Sequence, residues 1–203
     1  KEWCRISKRV TVWYYPLNWD FKSLTFSTIK TLRDDFKFFS EYGVHGFWIC
    51  CADPSPWNDG KRESIDILAM YIIQRLTDEE YRGMIDDYMY VLYGESGKLI
   101  YDYYEWIAAS EADGCWPVMA CYRSPAGAMN IEKTRDDFEL CISMFEDAIK
   151  YAPSAKAEYA VRLASCAMYT RGLFASYYDR YLNGSETQKA RYLHAVEEFE
   201  KLY

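Results

Sequence analysis

Apolar positions change period along this chain, and each change marks a new element. Residues 9–15 (RVTVWYY) are rich in β-branched and aromatic side chains and stop at Pro16, the mark of a strand ending where no backbone donor remains. Over residues 28–42 the period becomes helical, with Ile29, Leu32, Phe36 and Phe39 on one face and Gly43 at the expected stop. A second aromatic strand, 44–50, begins at once. This order predicts a parallel β-α-β unit, and ligand chemistry on such a unit belongs to the loops beyond the strands' carboxyl ends. Two parallel strands with both faces apolar need neighbours and cover, so further strands are expected from elsewhere, with this chain beginning near the end of a (β/α) barrel.

From Glu63 onward the pattern is helical almost throughout. Ile65, Leu68, Ala69, Ile72, Ile73 and Leu76 form one stripe, and Thr77 with Glu80 makes a capping box for the next helix. That helix should bury Tyr81, Met84, Ile85, Tyr88 and Leu92 and end near Gly94. Ser96 should open another, carrying Leu99, Ile100, Tyr103 and Trp106. Periodicity fails between Glu111 and Glu132, a loop long enough to attract a functional reading. Helices are expected near 133–151, 155–182 and 186–202, separated by Pro153 and by Asn183-Gly184, with Ser185 and Gln188 capping the third. The fold class is therefore mainly α: a short N-terminal parallel β-α-β unit, 1–61, followed by a helical bundle, 62–203. Arg-Asp-Asp-Phe occurs at 33–36 and again at 135–138, but the intervening segments do not match and no solenoid period emerges. The coincidence reads as two amphipathic helices using one surface solution.

Composition narrows the partners. The chain has 203 residues, half of them hydrophobic, enough for a sizeable core. A net charge of -7 and a pI near 5.0 argue against nucleic acid or an anionic membrane as the main partner. No apolar run approaches the roughly 20 residues of a membrane span. The first ten residues lack the charged-then-apolar order of a signal peptide and an initiator Met, as expected of a fragment or processed product. Seven cysteines contain no Cys-x-x-Cys pair and have only His45 and His194 to join them, so no metal site is expected. Cys115 and Cys121 bracket a short segment and suit a disulfide in an exported protein; the commoner role of such residues is small buried packing. No cofactor motif is present: neither a phosphate-binding glycine loop, a Gly-x-Ser-x-Gly elbow nor a paired-His helix. Asn183-Gly184-Ser185 matches a glycosylation acceptor, but a helix stop and restart demands the same residues.

The segments after the two strands hold the candidate substrate-binding residues: Tyr15, Asn18, Trp19, Asp53 and Trp57. Aromatic rings can stack on the C–H face of a sugar, and Asn18 or Asp53 can bond its hydroxyls. Trp13 and Trp48, within the strands, are expected instead to fill the barrel or its helix interface. Asp20, Asp53, Asp59 and Glu63 are the carboxylates near this mouth, Asp53 foremost because it follows the second strand directly. Each is more simply a loop or helix-start residue, and no catalytic residue is assigned. In the long loop, Trp116, Tyr122 and Arg123 are within reach of the same mouth, although tethering the bundle to the barrel is their simpler role.

Val12-Trp13-Tyr14-Tyr15, Asn18, Phe36-Lys37-Phe38-Phe39 and Tyr42-Gly43-Val44-His45-Gly46, with the later runs 68–76 and 88–94, resemble the pattern of domain of unknown function 4838. Members of that family are similar to the carboxyl-terminal portion of glycoside-hydrolase-like barrel proteins, where the last strands of a TIM-like barrel run into a helical domain. The resemblance implies an oligo- or polysaccharide as ligand, the upstream barrel region of the same protein as partner, and an extracytoplasmic or secreted location. Tyr14 stands where members often carry an acid, and Cys50 and Cys51 where they often have a Glu. Glycoside hydrolysis needs two carboxyl groups roughly 5 to 10 Å apart, which related barrels draw from earlier strands. Three readings follow: the C-terminal part of a glycoside-hydrolase-like protein, a noncatalytic saccharide-binding module, or a helical interaction module.

Overall fold

A computed structural model describes residues 1–14, 29–49, 75–111 and 129–181, together with residues 186, 190, 193, 197 and 201. It is mainly helical, with a small parallel sheet of two strands. A short helix α1, Glu2–Ile6, leads into β1, Thr11–Tyr14; helix α2, Ile29–Glu41, separates it from β2, Gly46–Ile49. The strands run parallel in the register Thr11↔Gly46, Val12↔Phe47, Trp13↔Trp48, Tyr14↔Ile49. The expected β-α-β unit is present, and both strands start a residue or two later than expected; Tyr15 and Cys50, their expected last residues, lie outside the described residues. Gly43 takes the positive φ of +72° that a side chain resists, and the Val44 amide then bonds the Phe39 carbonyl at 3.0 Å, closing α2.

Alternation sorts the sheet's side chains. Tyr14 and Phe47 turn toward α2, where Leu32 and Phe36 are fully buried, and Phe39 completes a cluster of edge-on and tilted rings. Among the described residues Leu32 and Phe36 make a small core, and Leu76, Tyr81 and Met84 from the following segment pack against it. Arg33 reinforces the joint, donating from Nε to the Leu76 carbonyl at 3.1 Å and pairing through its guanidinium with Asp78.

The rest is a helical bundle. Helix α3, Asp78–Tyr93, starts at the predicted capping box, with the Thr77 amide donating to Glu80 at 2.8 Å and the Glu80 amide to the Thr77 hydroxyl at 3.3 Å. A single turn of 3-10 helix, Gly94–Ser96, leads into α4, Gly97–Glu111; α5, Ile131–Asp136, α6, Phe138–Lys150, and the long α7, Ala155–Tyr181, follow. Helix α6 packs on α4 and α7, while α3 packs on α4 and α7 and α5 lies along α7. Met89, Tyr93, Ile100, Tyr103, Ile107, Phe145, Val161 and Met168 form the heart of one continuous core. Burying each large apolar side chain is worth about 1.5–3 kcal/mol, so this region carries most of the fold's stability.

Four expectations change. The buried stripe of α3 is Ile85, Met89 and Tyr93, and the predicted Tyr81, Met84, Tyr88 and Leu92 flank it half-buried, because α4 and α7 meet the helix slightly to one side. Ser96 does not cap α4; it is buried in the preceding turn, where its hydroxyl donates to the Ala148 carbonyl. The single helix expected near 133–151 starts earlier, at Ile131 with Asn130 as its cap, and breaks at Asp137. The repeated tetrapeptide is more than a surface solution, since Phe36 and Phe138 are both buried. The stripe 65–73, the long loop 112–128, the stop at Asn183-Gly184 and the Ser185 cap lie outside the described residues. Residues 186, 190, 193, 197 and 201 are helical, as the sequence predicts there.

Candidate functional site

Because the strands are parallel and in register, Tyr14 and Ile49 lie side by side and the chain leaves both strands at the same end of the sheet. Tyr15, Asn18 and Trp19 follow the first strand, Asp53 and Trp57 the second; these five lie outside the described residues, as do Asp20, Asp59, Glu63, Trp116, Tyr122, Arg123 and His194.

On the sheet face opposite Tyr14, the last described side chains before that end are Trp13 and Trp48. Alternation places them on the sheet face away from α2, so neither fills the helix interface. They stand on paired residues with ring centroids 6.0 Å apart and planes inclined by 44°, and they remain 61% and 64% exposed. Two adjacent, mostly exposed indoles put a pair of aromatic faces on this side of the sheet. Of the two places expected for these rings, the barrel and its helix interface, the structure excludes the second. The signal that distinguishes them is the alternation itself: Tyr14 and Phe47 take the α2 side, which leaves Trp13 and Trp48 the other.

Position 14 is accounted for. The Tyr14 hydroxyl donates to Asp35 of α2 at 2.8 Å, and its ring meets Phe36 and Phe39 edge-on at 5.4 and 6.1 Å. This side chain is part of the sheet–helix interface and does not point to the open face. His45 has a backbone role: its amide donates to the Val10 carbonyl at 2.8 Å and extends the ladder by one bond, while its side chain is exposed.

The bundle contains a polar seam that the sequence did not announce. The Trp106 indole donates to Asp137 at 2.7 Å, and Lys133 pairs with the same carboxylate at 2.6 Å. These bonds, Lys133 first and Trp106 second, hold the Asp137 carboxyl below the usual carboxylate range. The Arg171 guanidinium, 2% exposed, lies 5.8 Å from the Trp106 ring centre and 3.5 Å from the Thr134 hydroxyl. Its place between helices marks it as an organiser of the core, with no opening to a ligand. Cys141 and Cys166 are buried and not in disulfides, and burial pushes the Cys141 thiol up to about 12, out of the range of nucleophilic chemistry at neutral pH. The Cys115–Cys121 pair lies outside the described residues.

Among the described residues, no group of three or more His, Cys, Asp or Glu side chains is placed to hold a metal ion, and no helix is long and apolar enough to cross a membrane. Neither a curated protein nor a solved structure matches the sequence. A family model described as Domain of unknown function (DUF4838) matches residues 1–105, a span that takes in the β-α-β unit, α3 and most of α4. With just over half its length matched in this way, the chain belongs to the DUF4838 family.

Proposed function

We propose that this chain is the C-terminal portion of a glycoside-hydrolase-like, carbohydrate-active protein, and that its sheet end contributes an aromatic wall to a saccharide cleft. One observation carries the proposal: β1 and β2 run parallel and in register, so the segments bearing Tyr15, Asn18, Trp19, Asp53 and Trp57 leave the sheet at the same end, next to the paired rings of Trp13 and Trp48. Indole faces attract the C–H faces of pyranose rings through dispersion and apolar burial, and nearby amide and carboxylate groups set orientation through hydroxyl bonds. A neutral ligand also suits a chain of net charge -7.

In this reading residues 1–61 are the end of a (β/α) barrel and 62–203 a supporting helical domain. The upstream part of the parent protein supplies the remaining strands and the pair of carboxylates that hydrolysis requires. The chain by itself binds and does not cleave, and the parent protein works outside the cytoplasm.

The test is a glycan-array screen followed by calorimetry on the intact chain and on Trp13→Ala, Trp48→Ala, Trp19→Ala and Trp57→Ala, each checked for folding by circular dichroism. Loss of a stacking ring is expected to weaken binding by about tenfold, the equivalent of 1.4 kcal/mol. Binding that all four variants retain at full strength would remove the aromatic cleft.

A further inference from the structure

A saccharide reaches a protein in one of two physical forms. It is either a single soluble chain, or the face of an insoluble fibre in which many parallel chains present their C–H faces in one plane. The set of the two strand tryptophans discriminates between these forms.

Trp13 and Trp48 stand on register partners of neighbouring strands, with ring centroids 6.0 Å apart and planes inclined by 44°. No single plane lies flat against both rings. A fibre face that stacks on one indole meets the other at a slant and forfeits much of its contact, because dispersion is a sum over atoms in touch and fades within an ångström of separation. Nor does the sheet extend the pair into a strip. Alternation puts Thr11 and Gly46 on the same face, one row back toward the amino ends of the strands, and neither adds a ring. Among the described strand residues, this face therefore carries two inclined rings and no coplanar third.

A single chain suits such a pair. Its sugar units turn about the glycosidic bonds, so a short stretch of chain can offer C–H faces at an angle to one another. The two centroids also lie within the roughly 4.5 to 7 Å at which aromatic rings touch, so both act on one short stretch instead of on separated points of a surface. The barrel reading points the same way, since the sheet face away from the helix layer is then the inner one, where a solid cannot enter. We propose that the ligand at the sheet end is a single soluble glycan chain and not the surface of an insoluble polysaccharide. This rests on the saccharide reading above and adds to it the physical form of the ligand.

The experiment gives the full chain matched pairs of probes, each a soluble hexasaccharide and the insoluble polymer of the same sugar and linkage: cellulose, chitin and mannan, together with the best oligosaccharide of the glycan array. Calorimetry follows the soluble probes and sedimentation the powders. Saturable binding of a soluble oligosaccharide is expected, at least tenfold weaker in Trp13→Ala and in Trp48→Ala, with the chain left in the supernatant of every powder. The parent chain decides the outcome by itself, so a variant that fails to fold does not blur it. Sedimentation with a powder whose matching hexasaccharide does not bind would overturn the proposal and leave the saccharide reading standing. A chain that takes up neither an array glycan, a hexasaccharide nor a powder would overturn both.

Discussion

Arg-Asp-Asp-Phe is written twice in this chain, and its two settings show how the halves of the molecule differ. At 33–36 the tetrapeptide runs through the middle of α2; at 135–138 it straddles the break between α5 and α6. In both, the phenylalanine is buried and the second aspartate accepts a bond from an aromatic donor: Asp35 from the Tyr14 hydroxyl, Asp137 from the Trp106 indole. The arginines part company. Arg33 reaches out of its unit to the Leu76 carbonyl and Asp78, whereas the ion pair recorded for Arg135 is with its neighbour Asp136 at 3.7 Å. Among the described residues, the β-α-β unit has two buried apolar side chains, Leu32 and Phe36, and is packed by α3, while the bundle closes around a continuous core. Among the described residues, α2 covers one face of the sheet and Trp13 and Trp48 stand on the other.

The phenylalanines break this comparison most forcefully. Truncating either to alanine should cost about 3–5 kcal/mol of local packing. Phe138→Ala is expected to lower the urea midpoint of the whole helical signal. Phe36→Ala is expected to perturb the tryptophan near-ultraviolet signal of the sheet first and to leave the bundle transition nearly in place. Coincident loss of both signals in Phe36→Ala would mean that the halves fold as one unit.

Gly172 gives the next effect. A Cβ at this position would run into the Phe138 ring, so Gly172→Ala is expected to destabilise the bundle by about 1–3 kcal/mol in thermal unfolding despite the better helix propensity of alanine. A stabilised variant would show that the ring yields freely.

The paired aspartates come third. Asp137 is held below its ordinary pKa by Lys133 and Trp106, so the folded state prefers it ionised. That contribution is present above the unfolded carboxylate pKa and is lost as pH falls through the lower folded value. Asp137→Asn should therefore flatten the acid limb of a stability–pH curve and cost about 1–3 kcal/mol at neutral pH. An unchanged acid limb would deny the seam its role. Smallest is the α3 cap: Thr77→Ala should cost about 1 kcal/mol in the urea transition. No measurable change would make the cap ornamental.

Local chemistry was the legible part of the fold. The capping box at Thr77 and Glu80 and the positive φ at Gly43 come from short-range rules, and the β-α-β order follows from changes of period. What escaped depends on neighbours distant in sequence. Asp137 interrupts a helical pattern while its carboxylate is held by Trp106, 31 residues away, and by Lys133, and nothing local marks Met89 and Tyr93 over Tyr81 and Met84 as the deeper positions. Arg171 reads as a solvated helix position until α4 and α5 are placed beside it. The placing of Trp13 and Trp48 away from α2 escaped for the same reason, since a strand's pattern gives two faces and only tertiary structure decides which one the helix covers.

Hydrogen exchange read by mass spectrometry, with and without the best oligosaccharide from the array, tests the division of labour most directly. The account predicts that ligand slows exchange in peptides spanning 11–14 and 46–49 and in the segments that follow them, while α3, α4, α6 and α7 are already protected and stay unchanged. A saccharide that binds and alters only the bundle, leaving both strands untouched, would contradict it.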